Sequence, residues 1–487
     1  MTTLTAESHN DVISVMGKGI QYKWIVAIVY VSALFLDILD TTIVNVALIK
    51  MGQDFRTDAV EWVVLGYTLS LAVWIPTSGW LGDRFGTKKV FLVALAAFTF
   101  GSAACGFSQS IGQLIAFRVL QGVGGGMLTP VGIAMLFRAF PPAERAKAST
   151  VVMLPTLAAP ALGPVLGGII TTNFHWRWIF WVNVPIAVVA LWFGWRYLRE
   201  HREPSAMGFD VSGFLLSGGA LALVVYSLSE GPRAGWTSTL VLSTAAAGIA
   251  CAIATVIVER RVENPMLALR LYGDRMFRQC NLVSFFSMMS FMGLMFLMPV
   301  YLQNMRGLSA LDSGLTTFPQ AFGVMTTSFV AGRFYASIGP RRLMFTGFAL
   351  SAVAIALFAT IQLDTGLWVI RGLMFVRGMS MGFAFVPMQA ASYATIPPAQ
   401  NGRASSLFST QRQVSVSVGV AVLASILTSY GALNPRLLVD GGNVAHALDG
   451  VHIAILVTVG LAAVSSVMAL FIRDEDARAT MVARQRA

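Results

Sequence analysis

Residues 79–89 read Gly79-Trp80-Leu81-Gly82-Asp83-Arg84-Phe85-Gly86-Thr87-Lys88-Lys89. Residues 332–342 read Gly332-Arg333-Phe334-Tyr335-Ala336-Ser337-Ile338-Gly339-Pro340-Arg341-Arg342. In both stretches a glycine, a second glycine and a basic pair stand at the same spacing, between two long apolar runs. Glycine supplies the freedom a tight connection needs, and the basic pair marks a loop at a membrane surface. Further on, Gly122 with Gly126, Pro141-Pro142, Lys147 and Ser149 are echoed by Gly378 with Gly382, Pro397-Pro398, Arg403 and Ser405. The chain therefore repeats itself, and both copies read as membrane-embedded.

Working outward, the 487 residues are 56% hydrophobic and 12% charged, against roughly 45–50% and about 25% in a soluble domain. Mean hydropathy is +0.70. A crossing helix with its loop takes roughly 35 residues, about 20 of them in hydrocarbon. Apolar runs of that length fall near 22–48, 59–81, 89–108, 111–137, 147–172 and 177–198. Two more lie near 210–230 and 237–258, and six follow near 279–302, 313–336, 342–362, 367–393, 403–429 and 450–472. The pattern predicts an all-α membrane protein of fourteen spans: a six-helix bundle over 1–198, two additional helices with their connectors over 199–278, a second bundle over 279–472 and a tail over 473–487. Parallel six-helix repeats are the architecture of secondary transporters whose halves rock about a site near the bilayer midplane. The polar start, to about Gly19, lacks the pattern of a removable signal peptide.

Lys and Arg placement sets the expected orientation, because basic loops stay cytoplasmic. With both termini inside, Arg84, Lys88, Lys89, Arg138, Arg145, Lys147, Arg196, Arg199 and Arg202 all fall on the cytoplasmic side. Arg260, Arg261, Arg270, Arg275, Arg278, Arg341, Arg342, Arg403, Arg473 and Arg478 fall there too. The net charge of +11 is thus accounted for by topology and anionic lipid, which argues against a nucleic-acid partner. Cys105, Cys251 and Cys280 are too scattered for a disulfide framework or a zinc site.

Four segments resemble the major facilitator superfamily and, within it, the fourteen-span drug:proton antiporters. Gly79 to Lys89 resembles the loop between spans two and three, and Arg118-Val119-Leu120-Gln121-Gly122-Val123-Gly124 the span-four motif. Gly163-Pro164-Val165-Leu166-Gly167-Gly168 resembles the antiporter motif of span five. Leu39 to Leu48 resembles the first-span motif of the fourteen-span group, supported by Trp176-Arg177-Trp178 and Asn183-Val184-Pro185. Asp37 is an extra acid, Ala336 stands where the repeated loop would carry an acid, and Ala159 replaces a glycine ahead of the span-five motif. The resemblance implies a major facilitator fold and a multi-pass exporter of the cell inner membrane that exchanges protons for amphipathic compounds.

Asp37 and Asp40 lie three residues apart on one helix face, with Thr41 and Val44 on the same stripe. An ionisable group inside a span costs about 2.5–3.5 kcal/mol on the insertion scale, which points to a use. Proton exchange is the expected one, with Arg118 as counterion; the plainer alternative is that Asp40 braces a helix. Asp83 and Arg84, between Gly79 and Gly86, are candidates for a conformational latch, or else only set topology. Gly163, Pro164, Gly167 and Gly168 are the residues that the resemblance assigns to an antiporter motif, and their small side chains equally suit plain helix packing. Met288, Met292, Phe296, Gln320, Gln389, Gln411 and Gln413 are candidates for the substrate cavity, although methionine and phenylalanine also face lipid. Arg371 and Arg377 read as structural.

No metal-ligand spacing surrounds His9, His175, His201, His446 or His452, and no GxxxxGK[ST] loop occurs, so neither an enzyme nor a cofactor is expected. The expected partners are protons, a lipophilic small molecule and membrane lipid, with an accessory periplasmic adaptor left open. Export of a cell-envelope lipid and proton-coupled uptake of a metabolite remain the competing readings on the same fold.

Overall fold

The computed structural model describes residues 12–15, 18–57, 60–202, 210–262, 267–433 and 443–481. Hydrocarbon offers no water to backbone polar groups, so apolar runs of this length satisfy their hydrogen bonds internally, as helices. A short hairpin, β1 (Val12–Val15) and β2 (Lys18–Gln21), precedes them. The first helices are α1 (Tyr22–Phe55), α2 (Glu61–Phe85), α3 (Thr87–Phe107), α4 (Ile111–Ala139), α5 (Arg145–Asn173), α6 (Trp178–Trp181) and α7 (Asn183–Tyr197). Next come α8 (Val211–Ala234) and α9 (Thr239–Arg261). The remainder are α10 (Arg275–Val300), α11 (Ala310–Thr317), α12 (Pro319–Ile338), α13 (Pro340–Phe358), α14 (Leu367–Ser392), α15 (Asn401–Ser429), α16 (Val444–Ala469) and the short α17 (Arg478–Met481).

Twelve helices among the described residues are long and apolar enough to cross a membrane, so that measure does not confirm fourteen crossings. α5 and α12 occupy the other two expected spans as helices. In α12 the apolar content is diluted by Gln320, Thr326, Thr327, Ser328 and Arg333. In α5 the side chains of residues 153–158 lie outside the described residues. Two expected spans are divided at a proline, the first while still counting as one crossing helix over Trp178–Tyr197. Pro185 lacks the N–H that would bond back to Trp181, and the run divides there into α6 and α7. Pro319 opens α12 after a break that ends α11.

α1 packs on α4, α5 and α7, while α4 also receives α2 and α3. Later in the chain, α10 packs on α14, α15 and α16, while α14 also receives α12 and α13. The repeated glycines build the same contact twice. A Cβ on Gly122 or Gly126 would strike the carbonyl oxygens of Tyr67 and Leu71 on α2; one on Gly378 or Gly382 would strike those of Gln320 and Val324 on α12. Small residues there let two backbones close up.

The quoted loops also match. Gly86 and Gly339 have φ of 102° and 88°, open to glycine at no steric cost. Glu200, just past α7, accepts from the N–H groups of Lys88 (3.0 Å) and Lys89 (3.2 Å) at the start of α3. Asp474, past α16, accepts from Arg341 N–H (2.9 Å) at the start of α13. Each acid sits where the helix dipole favours it. Asp83 and Arg84, read from sequence as turn residues, instead form the last turn of α2, because the helix ends only where Gly86 takes positive φ.

α5 meets α11, α12 and α14, and α15 meets α2 and α4, joining the two groups of helices. α8 leans on α2 and α15, and α9 packs on α8. The exposed face of α9 carries Leu240, Leu242, Ile249, Ile253 and Ile257, as a helix against lipid should.

Candidate functional site

α1 places Asp37 and Asp40 toward α2 and α4, in different surroundings. The side chains of Asp40 and Arg118 are 0% and 1% exposed. Arg118 donates through Nη1 to Asp40 Oδ2 and to Gln121 Oε1 (2.7 Å), and through Nε to the Val63 carbonyl (3.0 Å). Gln121 Nε2 and Asn183 Nδ2 both donate to Asp40 Oδ1, each at 3.0 Å. The carboxylate is thereby paired and hydrogen-bonded on both oxygens, the condition under which a buried charge is tolerated.

Asp37 accepts from the Tyr67 hydroxyl, whose ring also lies 4.2 Å from the Arg118 guanidinium. Tyr67 thus touches both charged centres. Gly125 makes room for it, since a Cβ there would crowd the Tyr67 hydroxyl and Asp37 Oδ1. Asp37 lines a cavity of about 270 Å³ between the two groups of helices, whereas Asp40 does not. Thr41, Thr68 and Thr129 add hydroxyls on one side; Met288, Phe291 and Met292 of α10 form an apolar wall; Ser409, Arg412 and Gln413 come from α15.

Of the residues singled out as cavity candidates, Met288, Met292 and Gln413 line this space. Phe296 packs against the core around Leu294 and Met298. The Gln320 side-chain oxygen accepts from Arg377, which also donates to the Phe291 carbonyl (3.1 Å), so this pair ties α14 to α12 and α10. Gln411 donates to Ser415 on its own helix (2.9 Å), and Gln389 is buried on α14. Tyr67 had no charge to draw attention to it. Gln121 and Asn183 sit inside quoted motifs, but which acid they serve depends on how three helices meet.

At one end of the molecule Asp83 is 2% exposed, with Arg403 Nε 3.8 Å from its Oδ2. Gly79 faces the Gly402 carbonyl so closely that a Cβ would lie 2.7 Å from it. Ser406 donates to the Ile75 and Pro76 carbonyls and Ser405 to that of Pro130 (2.8, 2.8 and 2.6 Å), sewing α15 onto α2 and α4. Arg84 is exposed. In α5, Gly163 and Gly167 face Thr42, Ile43 and Val46 of α1, just beyond Asp40, and Gly168 lies beside Leu311. The Pro164 side chain lies outside the described residues.

At the opposite end Asp54 accepts from Trp176 Nε1 (3.0 Å) and Arg177 Nη1 (3.1 Å). These partners, the Trp176 hydrogen bond foremost, hold its carboxyl below the usual range. Arg177 also donates to the Ser108 carbonyl (2.8 Å), so the Trp176-Arg177 pair clamps the end of α1 to the α3–α4 connection. Among the described residues no cluster of three His, Cys, Asp or Glu side chains is placed to hold a metal ion.

A family model described as Major Facilitator Superfamily matches residues 30–420 and again 280–486. The chain belongs to the Major Facilitator Superfamily. It is a family of transporters, and the repeated helix groups of this multi-span membrane protein fit that membership. Similar chains include a multidrug resistance protein B homolog of Mycobacterium tuberculosis, 36% identical over 80% of this chain and 73% of the relative. A putative multidrug resistance protein MdtD of Cronobacter sakazakii is 32% identical over 87% and 89%. Among solved structures, the human organic anion transporter MFSD10 superposes with a TM-score of 0.63 at 17% identity, covering 92% of this chain and 99% of that one, a likeness of fold.

Proposed function

We propose that the protein is a proton-coupled antiporter of the inner membrane that exports amphipathic drugs or similar lipophilic compounds. In this reading residues 1–198 and 279–472 are the rocking halves, 199–278 adds two spans, and both termini are cytoplasmic. The observation that carries it is the arrangement of Asp37 and Asp40: one carboxylate opens on the central cavity, and the other is paired with Arg118 directly behind it. The similarity to multidrug resistance proteins supports drug export.

A proton arriving from the cavity reaches Asp37 first. Neutralising that carboxyl alters what the Tyr67 hydroxyl bonds and, through the Tyr67 ring, the surroundings of Arg118. Protonation of Asp40 frees Arg118 from its ion pair and changes how α1 is held to α4. α1 also contacts Gly163 and Gly167 of α5, and α5 meets the other half, so the change is passed to the interface between halves. The Asp83–Arg403 contact and the close Gly79–Gly402 approach act as the latch of one state.

The test is transport in proteoliposomes under an imposed pH difference. Asp40→Asn is expected to reach the membrane and bind substrate, yet lose accumulation driven by the gradient; Asp37→Asn is expected to lower it. Undiminished gradient-driven transport in both variants would place the proton site elsewhere.

A further inference from the structure

The cavity carries one charge of each sign from opposite groups of helices, Asp37 on α1 and Arg412 on α15. Both line the one cavity, and among the described residues no ion pair joins Arg412 to a carboxylate. Asp37 has the Tyr67 hydroxyl on Oδ1 and no hydrogen bond to Oδ2 among the described residues. Both groups are therefore free to take a partner. Two hydroxyls lining the same space are buried with no hydrogen-bond partner among the described residues: Ser409, 3% exposed and three residues before Arg412, and Thr129, 6% exposed.

We propose that the substrate is a zwitterionic amphipath, its cationic group against Asp37, its anionic group on Arg412 with the Ser409 hydroxyl, and its apolar body on Met288, Phe291 and Met292. A solely cationic drug would satisfy Asp37 but leave a guanidinium uncompensated in a low-dielectric space, where charges need partners. A solely anionic compound would leave Asp37 unpaired in the same way. The assignment rests on the antiport reading for its logic: the cationic group competes with a proton for Asp37, whereas a proton on Asp37 would strengthen, not weaken, the hold on a lone anion.

The experiment uses one scaffold in three charge forms: an arylpiperazine carboxylic acid, its methyl ester (cation only) and its N-acetyl derivative (anion only). Binding to the full-length protein in detergent is measured at fixed pH, and pH-driven transport is measured in proteoliposomes. The zwitterion is expected to bind about tenfold or more tighter than either single-charge form, the scale of one charge-assisted hydrogen bond. Arg412→Gln should abolish its advantage over the ester without weakening the ester, Arg412→Lys should retain most of it, and Asp37→Asn should abolish its advantage over the N-acetyl form. Equal wild-type affinities, binding of none of the three, or Arg412→Gln weakening all three alike would overturn the proposal, the last making Arg412 a structural counterion. Equal affinities with intact pH-driven transport would sink the zwitterion alone. A clear zwitterion preference without any response to the pH gradient would instead sink antiport and leave the charge assignment standing.

Discussion

Arg118 of α4 pairs with Asp40 of α1 where neither side chain is more than 1% exposed, while Asp37, three residues earlier on α1, opens on the central cavity. A buried pair of this kind is costly to break from one side only. Arg118→Met leaves Asp40 ionised without its cation, and a destabilisation of about 3–5 kcal/mol is expected. Arg118→Met combined with Asp40→Leu should recover much of that stability in detergent while remaining inactive in pH-driven efflux. A double variant as unstable as the single one would show that the loss comes from packing around Arg118.

At the Asp83 end, α2 and α15 approach through Gly79 and Gly402, and a Cβ on Gly402 would lie 2.8 Å from Asp83 Oδ1. Gly402→Ala and Asp83→Asn should both loosen this end. A single cysteine at Ser406, buried here against the Ile75 and Pro76 carbonyls, should then react severalfold faster with a hydrophilic thiol reagent. Substrate affinity in detergent should change little for Asp83→Asn, because the contact lies outside the cavity. Unchanged labelling in both variants would remove the latch.

Asp54 gives a pH signature. Its carboxyl is held below the ordinary range of about 3.9, so its contribution to stability is fully present above that value. The contribution disappears as pH falls through the lower, folded-state value. Between pH 6 and pH 3 the wild type should lose thermal stability more steeply than Asp54→Asn, which has no such proton to take up. Parallel curves would mean that the Trp176 and Arg177 contacts do not favour the ionised form.

Topology can be read with single cysteines at exposed positions. Replacements at Arg202 and Arg341 should be protected from a membrane-impermeant reagent applied to intact cells, whereas those at Gln109 and Asn443 should react. Labelling of Arg202→Cys and Gln109→Cys from the same side contradicts the expected orientation.

The sequence by itself determined the helices, the repeat and the motifs. Twenty apolar residues in hydrocarbon have hardly any other way to satisfy their backbone, and glycines at fixed spacing mark where two helices must touch. It also exposed Asp37, Asp40 and Arg118, because charge inside a span stands out against its neighbours. It could not separate the roles of the two acids. Three residues along a helix differ by only part of a turn, and the environments on either side of that arc are supplied by α2, α4, α7 and α15, far away in the chain. Only the tertiary structure gave Asp40 the Arg118, Gln121 and Asn183 partners, gave Asp37 the cavity with Tyr67, and set Arg412 across from it. It likewise drew Asp83 into the end of α2, since a helix stops where its backbone can turn and not where its charges begin. A charge's function is fixed by what surrounds it, and in a bundle of long helices those surroundings come from residues that local sequence does not connect.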